Sequence, residues 1–367
     1  GFRFVAGFVI PRDGRYGRGF NTPGMKLLVF LGLALIAQGG AVAVAAEEEE
    51  GAWLLAYFRQ RYPGRVEIGP DGKEYQVPLE GAMEVEQLHY AISTDGRHWE
   101  PLNGNEPVWG QRLRDPFLQR QPDGTWRLMG TGRVGKRDGA GPVCLTAVSR
   151  DLVHWEDARS LPLMAGVTDD QGRPAGNIWA PEWFHDPDTG ETIVLWSSSF
   201  EDTGWKKSRL WFSRTKDWKT FTPAQVLFEP PYSVIDGTLV KHEGRFYLFH
   251  KEEEFGPETG ERRAIRVASA ERLEGPWEIH EGPLNDGQIV PTITEGPSVM
   301  PDPLKPGWLL LYDYCMTDRF GASSSPDLLN WTIEEDVQFP PAARHGSVVK
   351  LGAEEAKALR EAFPAKE

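Results

Sequence analysis

The chain has 367 residues, with 40 Lys and Arg against 54 Asp and Glu, a formal charge of −14, two Cys and 14 Trp. A hydrophobic fraction of 40% with 26% charged residues can bury a real core, which excludes a chain disordered along its length. The negative balance argues against duplex DNA or an anionic membrane surface as partner, and two Cys cannot build a disulfide scaffold or a zinc cage.

Met25-Lys26 opens a mostly apolar run, Leu27 to Ala37, which leads through small residues to Ala45-Ala46 and then to Glu47–Glu50. A short basic start, an apolar centre and a small-x-small end predict a secretory signal over 25–46. The run is interrupted and short for a membrane span, and no Cys follows it to carry a lipid anchor. Residues 1–24 carry no pattern and read as an upstream misread segment. Cleavage after Ala46 would remove five basic residues and one acidic residue, leaving 47–367 as a single domain at −18. The expected location is the periplasm or the cell exterior, with no membrane contact after cleavage.

Along 47–367, five segments share a Ser- or small-residue stretch, a turn and a Trp: Tyr90–Trp99, Thr146–Trp155, Leu210–Trp218, Val267–Trp277 and Gly321–Trp331. Their Trp-to-Trp spacings of 56, 63, 59 and 54 suit one four-stranded sheet per repeat. Upstream of each lies a short apolar strand: Trp53–Phe58, Trp126–Gly130, Thr192–Trp196, Arg245–Phe249 and Trp308–Tyr312. Short strands separated by Gly, Pro, Asp and Asn predict an all-β chain, and five such units predict a five-bladed β-propeller. Trp99, Trp155, Trp218, Trp277 and Trp331 are then structural residues at outer blade edges. The only predicted helix is Ala353–Ala362.

Ahead of four apolar strands stand short polar motifs: Arg114-Asp115-Pro116-Phe117, Trp179-Ala180-Pro181-Glu182, Ile235-Asp236-Gly237 and Glu295-Gly296-Pro297. The fifth, Arg344-His345-Gly346-Ser347, lies at the C-terminal end, so the last blade is predicted to close with strands from both ends of the chain and leave no open edge. Inner strands of a propeller converge on its axis, which predicts that Asp115, Glu182, Asp236, Glu295 and His345 gather there. Clustered carboxylates push some pKa values up by repulsion and burial, so that one acid can stay protonated beside an ionised base, as glycosidic bond hydrolysis requires.

The order Asp-Pro, Trp-Ala-Pro-acid, Ile-Asp, Glu-Gly-Pro, Arg-His-Gly resembles glycoside hydrolase family 43 over about residues 52–352. The resemblance implies a five-bladed propeller acting on arabinose- and xylose-containing glycans with inversion at the anomeric carbon. It implies Asp115 as general base, Asp236 as the carboxylate that tunes and orients, and Glu295 as general acid, with base and acid about 6.5–9.5 Å apart to admit a water. It also maps an axial histidine, in several members associated with an ion, onto His345. No cofactor is expected to be required, and any ion would be calcium or sodium held largely through water. The motifs depart from the family in ending Trp-Ala-Pro with Glu182 in place of Asp and in reading Ile-Asp-Gly. Trp179 and Trp183 are candidates for stacking on a sugar, with Glu182, Phe117, Arg114 and Lys251 as candidates for lining the pocket. Lys251-Glu252-Glu253-Glu254 reads as a solvated loop start, with Lys251 near the pocket rim.

The partner is thus expected to be a neutral oligo- or polysaccharide carrying arabinofuranosyl, xylosyl or galactosyl units, not nucleic acid. Two other readings stay open: a retaining, fructan-cleaving propeller, opposed by the absence of a carboxylate in Ala56-Tyr57-Phe58-Arg59, and a non-catalytic sugar-binding propeller. Cys144 and Cys315 fall on different blades and are expected to be separate thiols. Loops 61–87, 132–142, 165–177 and 253–262 would shape the channel mouth.

Overall fold

The computed structural model describes residues 51–60, 65–68, 74–77, 86–132, 141–201, 203, 206–257, 259–281, 289, 293–315, 317 and 319–366. The expected signal and the segment before it lie outside the described residues, as do most of loops 61–87 and 132–142. Within 61–87, Arg65–Ile68 pairs antiparallel with Glu74–Val77.

Five antiparallel sheets of at least four strands form the blades. In chain order, the first four blades open on the inner strands Arg114–Arg120, Trp179–Asp186, Val234–His242 and Glu295–Pro301. The fifth is built from both ends of the chain: Ala343–Leu351 pairs with Ala52–Arg59, which pairs with Gln87–Ser93. The expected closure is therefore present, and the protein is an all-β, five-bladed propeller. The one α-helix among the described residues, Ala353–Ala362, matches its predicted span and follows the closing strand. Its start is set by Gly352, whose N–H donates to the Glu355 carboxylate at 3.0 Å.

Each blade packs against both neighbours, so its middle strands are buried on two faces and read as continuous apolar runs. Among the described residues five apolar clusters result, one at each junction between adjacent blades. Met129, Trp183 and Trp196 join the first blade to the second, and Leu195, Phe228 and Leu248 the second to the third. Phe249, Tyr312 and Trp331 join the third to the fourth, Leu55, Leu309 and Phe320 the fourth to the fifth, and Leu54, Tyr90 and Leu128 the fifth to the first. Each such side chain contributes about 1.5–3 kcal/mol by leaving water, which offsets the entropy cost of ordering a chain with almost no helix.

The Trp repeats are capped turns. In the fifth blade Gly96 N donates to Ser93 Oγ at 2.9 Å, and Asp95 Oδ1 accepts from the N–H of both Arg97 and His98 at 2.8 Å. The same pattern recurs at Ser149/Asp151 and Thr215/Asp217, and at Ser325/Asp327 the Ser Oγ accepts from Asp327 N while Asp327 Oδ1 accepts from the N–H of Leu329 and Asn330. The turn puts its fourth residue in the left-handed region: Gly96, Leu152, Trp218 and Leu328. This corrects the register of one repeat. Trp218 occupies that left-handed position, whereas Trp99, Trp155 and Trp331 lie three residues further on, where this repeat has Phe221. Trp99 and Trp331 close their turns by donating from Nε1 to the carbonyls of Gly96 and Leu328. Both cysteines are unbridged.

Candidate active site

Every inner strand carries an irregularity at the motif the sequence singled out. The ladder skips two residues after Arg114, Trp179, Ile235 and Glu295, and one residue, His345, in the fifth blade. Such bulges bend a strand and re-aim side chains. The first skipped residue is left-handed in all four: Asp115, Ala180, Asp236 and Gly296, with φ of 51°, 43°, 55° and 63°. Gly is needed at the last of these for space as well. A Cβ on Gly296 would lie 2.6 Å from Cγ of His345.

Aligned on the bulge, the acids do not share one position. Asp115 and Asp236 are the left-handed residues, Glu295 stands one place before, with Arg114, Trp179 and Ile235, and Glu182 stands two places after, with Phe117, Thr238 and Ser298. Asp115, Asp236 and Glu295 therefore meet at the mouth of the axis, while Glu182 lies deeper.

The residue opposite each bulge, at the end of the apolar strand, ties one blade to the next. Ala180 N donates to Thr131 Oγ1 at 2.8 Å, Asp236 N to Ser197 Oγ at 2.9 Å and His345 N to Asp313 Oδ2 at 2.8 Å. The third blade has Lys251 at this place, which cannot accept a hydrogen bond. Gly296 N turns instead to Asp236 Oδ2 at 3.2 Å, and Lys251 Nζ reaches Glu295 Oε2 at 2.8 Å. Sequence reasoning missed Thr131, Ser197, Asp313 and the pairing role of Arg344. The signal available was the polar residue at or near the end of each apolar strand.

Thr131 donates its hydroxyl proton to Asp115 Oδ2, because its oxygen already accepts from Ala180 N. The other oxygen of Asp115 lies 3.5 Å from His345 Nδ1, which is also 3.8 Å from Asp236 Oδ2. Burial raises the Asp236 carboxyl to about 6, with the negative charge of Glu295 adding to the effect and His345 opposing it. Burial also pushes the Glu295 carboxyl up, but the ammonium of Lys251 and the guanidinium of Arg344, both in contact with it, outweigh this and hold it well below the usual range. Burial raises Asp313 to about 7 against the pull of Arg344, whose Nε donates to Asp313 Oδ2 at 3.1 Å.

His345 turns its ring Nδ1 to two carboxylates, those of Asp115 and Asp236. Among the described residues no group of three His, Cys, Asp or Glu side chains is arranged to hold a metal ion directly.

Four pocket candidates are corrected. Trp183 is 1% exposed and packs edge-on against Phe117 and Trp218, so both Trp183 and Phe117 belong to the core between blades. Beyond the bulge, the fourth and fifth residues of the Trp-Ala-Pro strand lead away from the mouth. Lys251 and Glu252 are 1% exposed and fully paired, so the run 251–254 is no solvated loop: Arg262 and Arg266 both donate to Glu252, and Glu254 accepts from Ser233 N at 2.7 Å. Glu182 is 5% exposed, two places beyond the left-handed residue of its strand, with its carboxyl turned to Thr238 of the next blade. Trp179 and Arg114 remain half-buried at the mouth, with the Arg114 guanidinium 5.2 Å from the Phe58 ring.

The hydrogen bonds around Glu182 are all satisfied when its carboxyl is the proton donor. The Thr238 hydroxyl lies 2.7 Å from Glu182 Oε1 and 2.6 Å from Pro297 O, and its single proton can serve only one of them. A neutral Glu182 donating to Thr238, which then donates to Pro297 O, satisfies all three. Burial raises the Glu182 carboxyl well above its ordinary value, in agreement with this order. A raised folded-state pKa gives stability that is fully present below the unfolded value and lost as pH rises toward the folded one. Glu182→Gln keeps a donor without that loss. Its melting temperature relative to wild type should therefore be near zero difference at pH 4 and climb toward pH 8, at about 2–4 °C for each kcal/mol relieved. A difference that stays flat or falls with pH in thermal melts would show Glu182 to be ionised.

A family model described as a probable glycosyl hydrolase domain matches residues 78–357, more than half of the chain. Nothing among curated proteins matches. Among solved structures the chain is similar to a thermostable family-43 glycoside hydrolase, at 15% identity and a TM-score of 0.47, covering 64% of this chain and 78% of that one. It is similar to an α-L-arabinofuranosidase from Lactobacillus brevis at 16% identity and 0.45, covering 61% and 72%, and to a Bacillus subtilis arabinanase at 14% and 0.45, covering 65% and 80%. By the matched family and the propeller on which its acids converge, the chain belongs to the glycosyl hydrolases related to glycoside hydrolase family 43 and is a glycosidase.

Proposed function

We propose that this glycosidase cleaves α-L-arabinofuranosyl or β-D-xylosyl linkages, with galactosyl linkages as the nearest alternative, in neutral plant-type glycans, and that it does so with inversion. The reading is supported above all by three carboxylates from three blades in unlike environments: Asp115 and Asp236 beside His345, and Glu295, whose charge acts on Asp236, between Lys251 and Arg344. Asp115, oriented by Thr131, takes a proton from water as the water oxygen bonds to the anomeric carbon. The bond to the leaving oxygen breaks on the opposite face, and Glu295 gives that oxygen its proton. Asp236 contacts the Glu295 strand through Gly296 N and carries the charge that tunes both partners. Trp179, half-buried ahead of its bulge, would cover one face of the bound sugar.

The sugar class rests on the family resemblance, and an acidic chain favours a neutral substrate. The same reading has the protein exported, with 25–46 as its signal and the periplasm or cell exterior as its location. A screen of nitrophenyl glycosides, followed by arabinan, xylan and arabinogalactan, identifies the sugar. Proton NMR of the first-formed product should show the anomer opposite to that of the substrate; a retained anomer would overturn the mechanism in favour of a nucleophilic carboxylate.

A further inference from the structure

Glu295 sits in a cluster that the mechanism above does not use. Lys251 Nζ lies 2.8 Å from Glu295 Oε2 and equally 2.8 Å from Glu253 Oε2. Arg344 contacts Glu295 Oε1 through Nη2 and Asp313 Oδ2 through Nε. Each of the two cations is thus shared between Glu295 and one further carboxylate, and three acids face two bases. The cluster has no room for an uncompensated charge: the side chains of Lys251, Arg344 and Asp313 are 2%, 3% and 0% exposed. Charge balance in such a place is reached by one proton on one of the three acids. Asp313 Oδ1 is buried with no hydrogen-bond partner, which a neutral carboxyl tolerates better than an anion.

We propose that Asp313 and Glu253 are positioning residues for the reaction: each draws one cation away from Glu295, and the proton their cluster must hold is the one Glu295 delivers. This rests on the assignment of Glu295 as general acid. The resting geometry, with Glu295 ionised between Lys251 and Arg344, is its state after a turnover. When Asp313 and Glu253 ionise, they compete for Arg344 and Lys251 and their charge repels that of Glu295, so the proton moves to Glu295. The other groups facing Glu295 are Asp236, which favours protonation, and Cys315, whose Sγ is 3.8 Å from Lys251 Nζ. His345 faces Asp313, donating its backbone N–H to Oδ2 at 2.8 Å and opposing the upward shift of that carboxyl, while its ring nitrogen is turned to Asp115 and Asp236; Arg263 acts on Glu253 from the rim.

The test is the pH dependence of kcat/KM in Asp313→Asn and Glu253→Gln, beside Glu295→Gln. Removing either anion takes a competing carboxylate away from one of the two cations and makes the Glu295 proton harder to hold. The basic limb should then move to lower pH by about one unit or more in each variant, with activity recovered on acidification. A purely structural residue would lower activity at every pH without moving the limb. If Asp313→Asn fails to fold, Glu253→Gln at the edge of the cluster carries the test. A limb that stays in place, or moves up, in a folded variant overturns the inference. Wild-type activity in Glu295→Gln instead overturns the acid assignment beneath it, which keeps the two failures apart.

Discussion

Glu295→Gln is expected to lower kcat by about 10²–10⁴-fold on glycosides with alkyl or sugar leaving groups, where the departing oxygen needs a proton. On a dinitrophenyl glycoside, whose leaving group departs as a stable anion, the same variant should retain most of its activity. Asp115→Asn should be slow on both, because activation of water is required whatever leaves. This contrast separates the two roles more sharply than loss of activity alone, which misfolding would also cause. The local structure supports isosteric replacement. With Asp115→Asn, the Thr131 hydroxyl can still donate to the side-chain amide oxygen in place of Asp115 Oδ2, and Glu295 keeps its place in the ladder opposite Asp313. Steady-state kinetics on the paired substrates decides it. If both variants cleave both substrates as wild type does, the propeller binds sugar through these carboxylates without using them, and the chemistry must be sought elsewhere.

The fold was legible because a propeller repeats. Short apolar strands, turn residues and a Trp at steady spacing located four strands per blade, and the position of Arg344-His345-Gly346 at the far end of the chain located the closure. Repetition also produced the error at Trp218, since a turn that accepts Gly, Leu or Trp at its left-handed position can imitate the neighbouring repeat three residues out of step. The motifs that form the candidate site were legible for a related reason. Pro or Gly following an acid marks a strand that must bulge, and the bulges are where the side chains turn to the axis. Depth was not legible. Glu182 looks like its neighbours in sequence, but it stands three places further along the strand than Glu295 does, and three places decide between a mouth residue and a buried one. Pairing was equally hidden. Lys251, Glu253, Asp313 and Arg344 come from three blades, and only the ring brings them into contact.

Lys251→Met should cost about 3–5 kcal/mol of stability, the range for removing one partner of a buried ion pair, because it strands Glu295 and Glu253 without their shared cation. The methionine fills much of the lysine's volume, so lost packing contributes little and the charge effect dominates. The pH dependence identifies the cause. The folded-state pKa of Glu295 is depressed, so its contribution to stability is present above the unfolded value of about 4.3 and lost as pH falls through the folded one. Lys251→Met removes much of that depression. The gap in melting temperature between wild type and variant should therefore be widest near pH 7 and narrow as the solution is acidified toward pH 4, where Glu295 and Glu253 can take up protons in the variant and relieve the uncompensated charge. Lys251→Arg, which restores a cation with a broader fork, should recover part of the stability at pH 7. A gap that is constant from pH 4 to pH 8 would mean that Lys251 acts through its methylene stem rather than its charge, and that Glu295 is held in place by Arg344 alone.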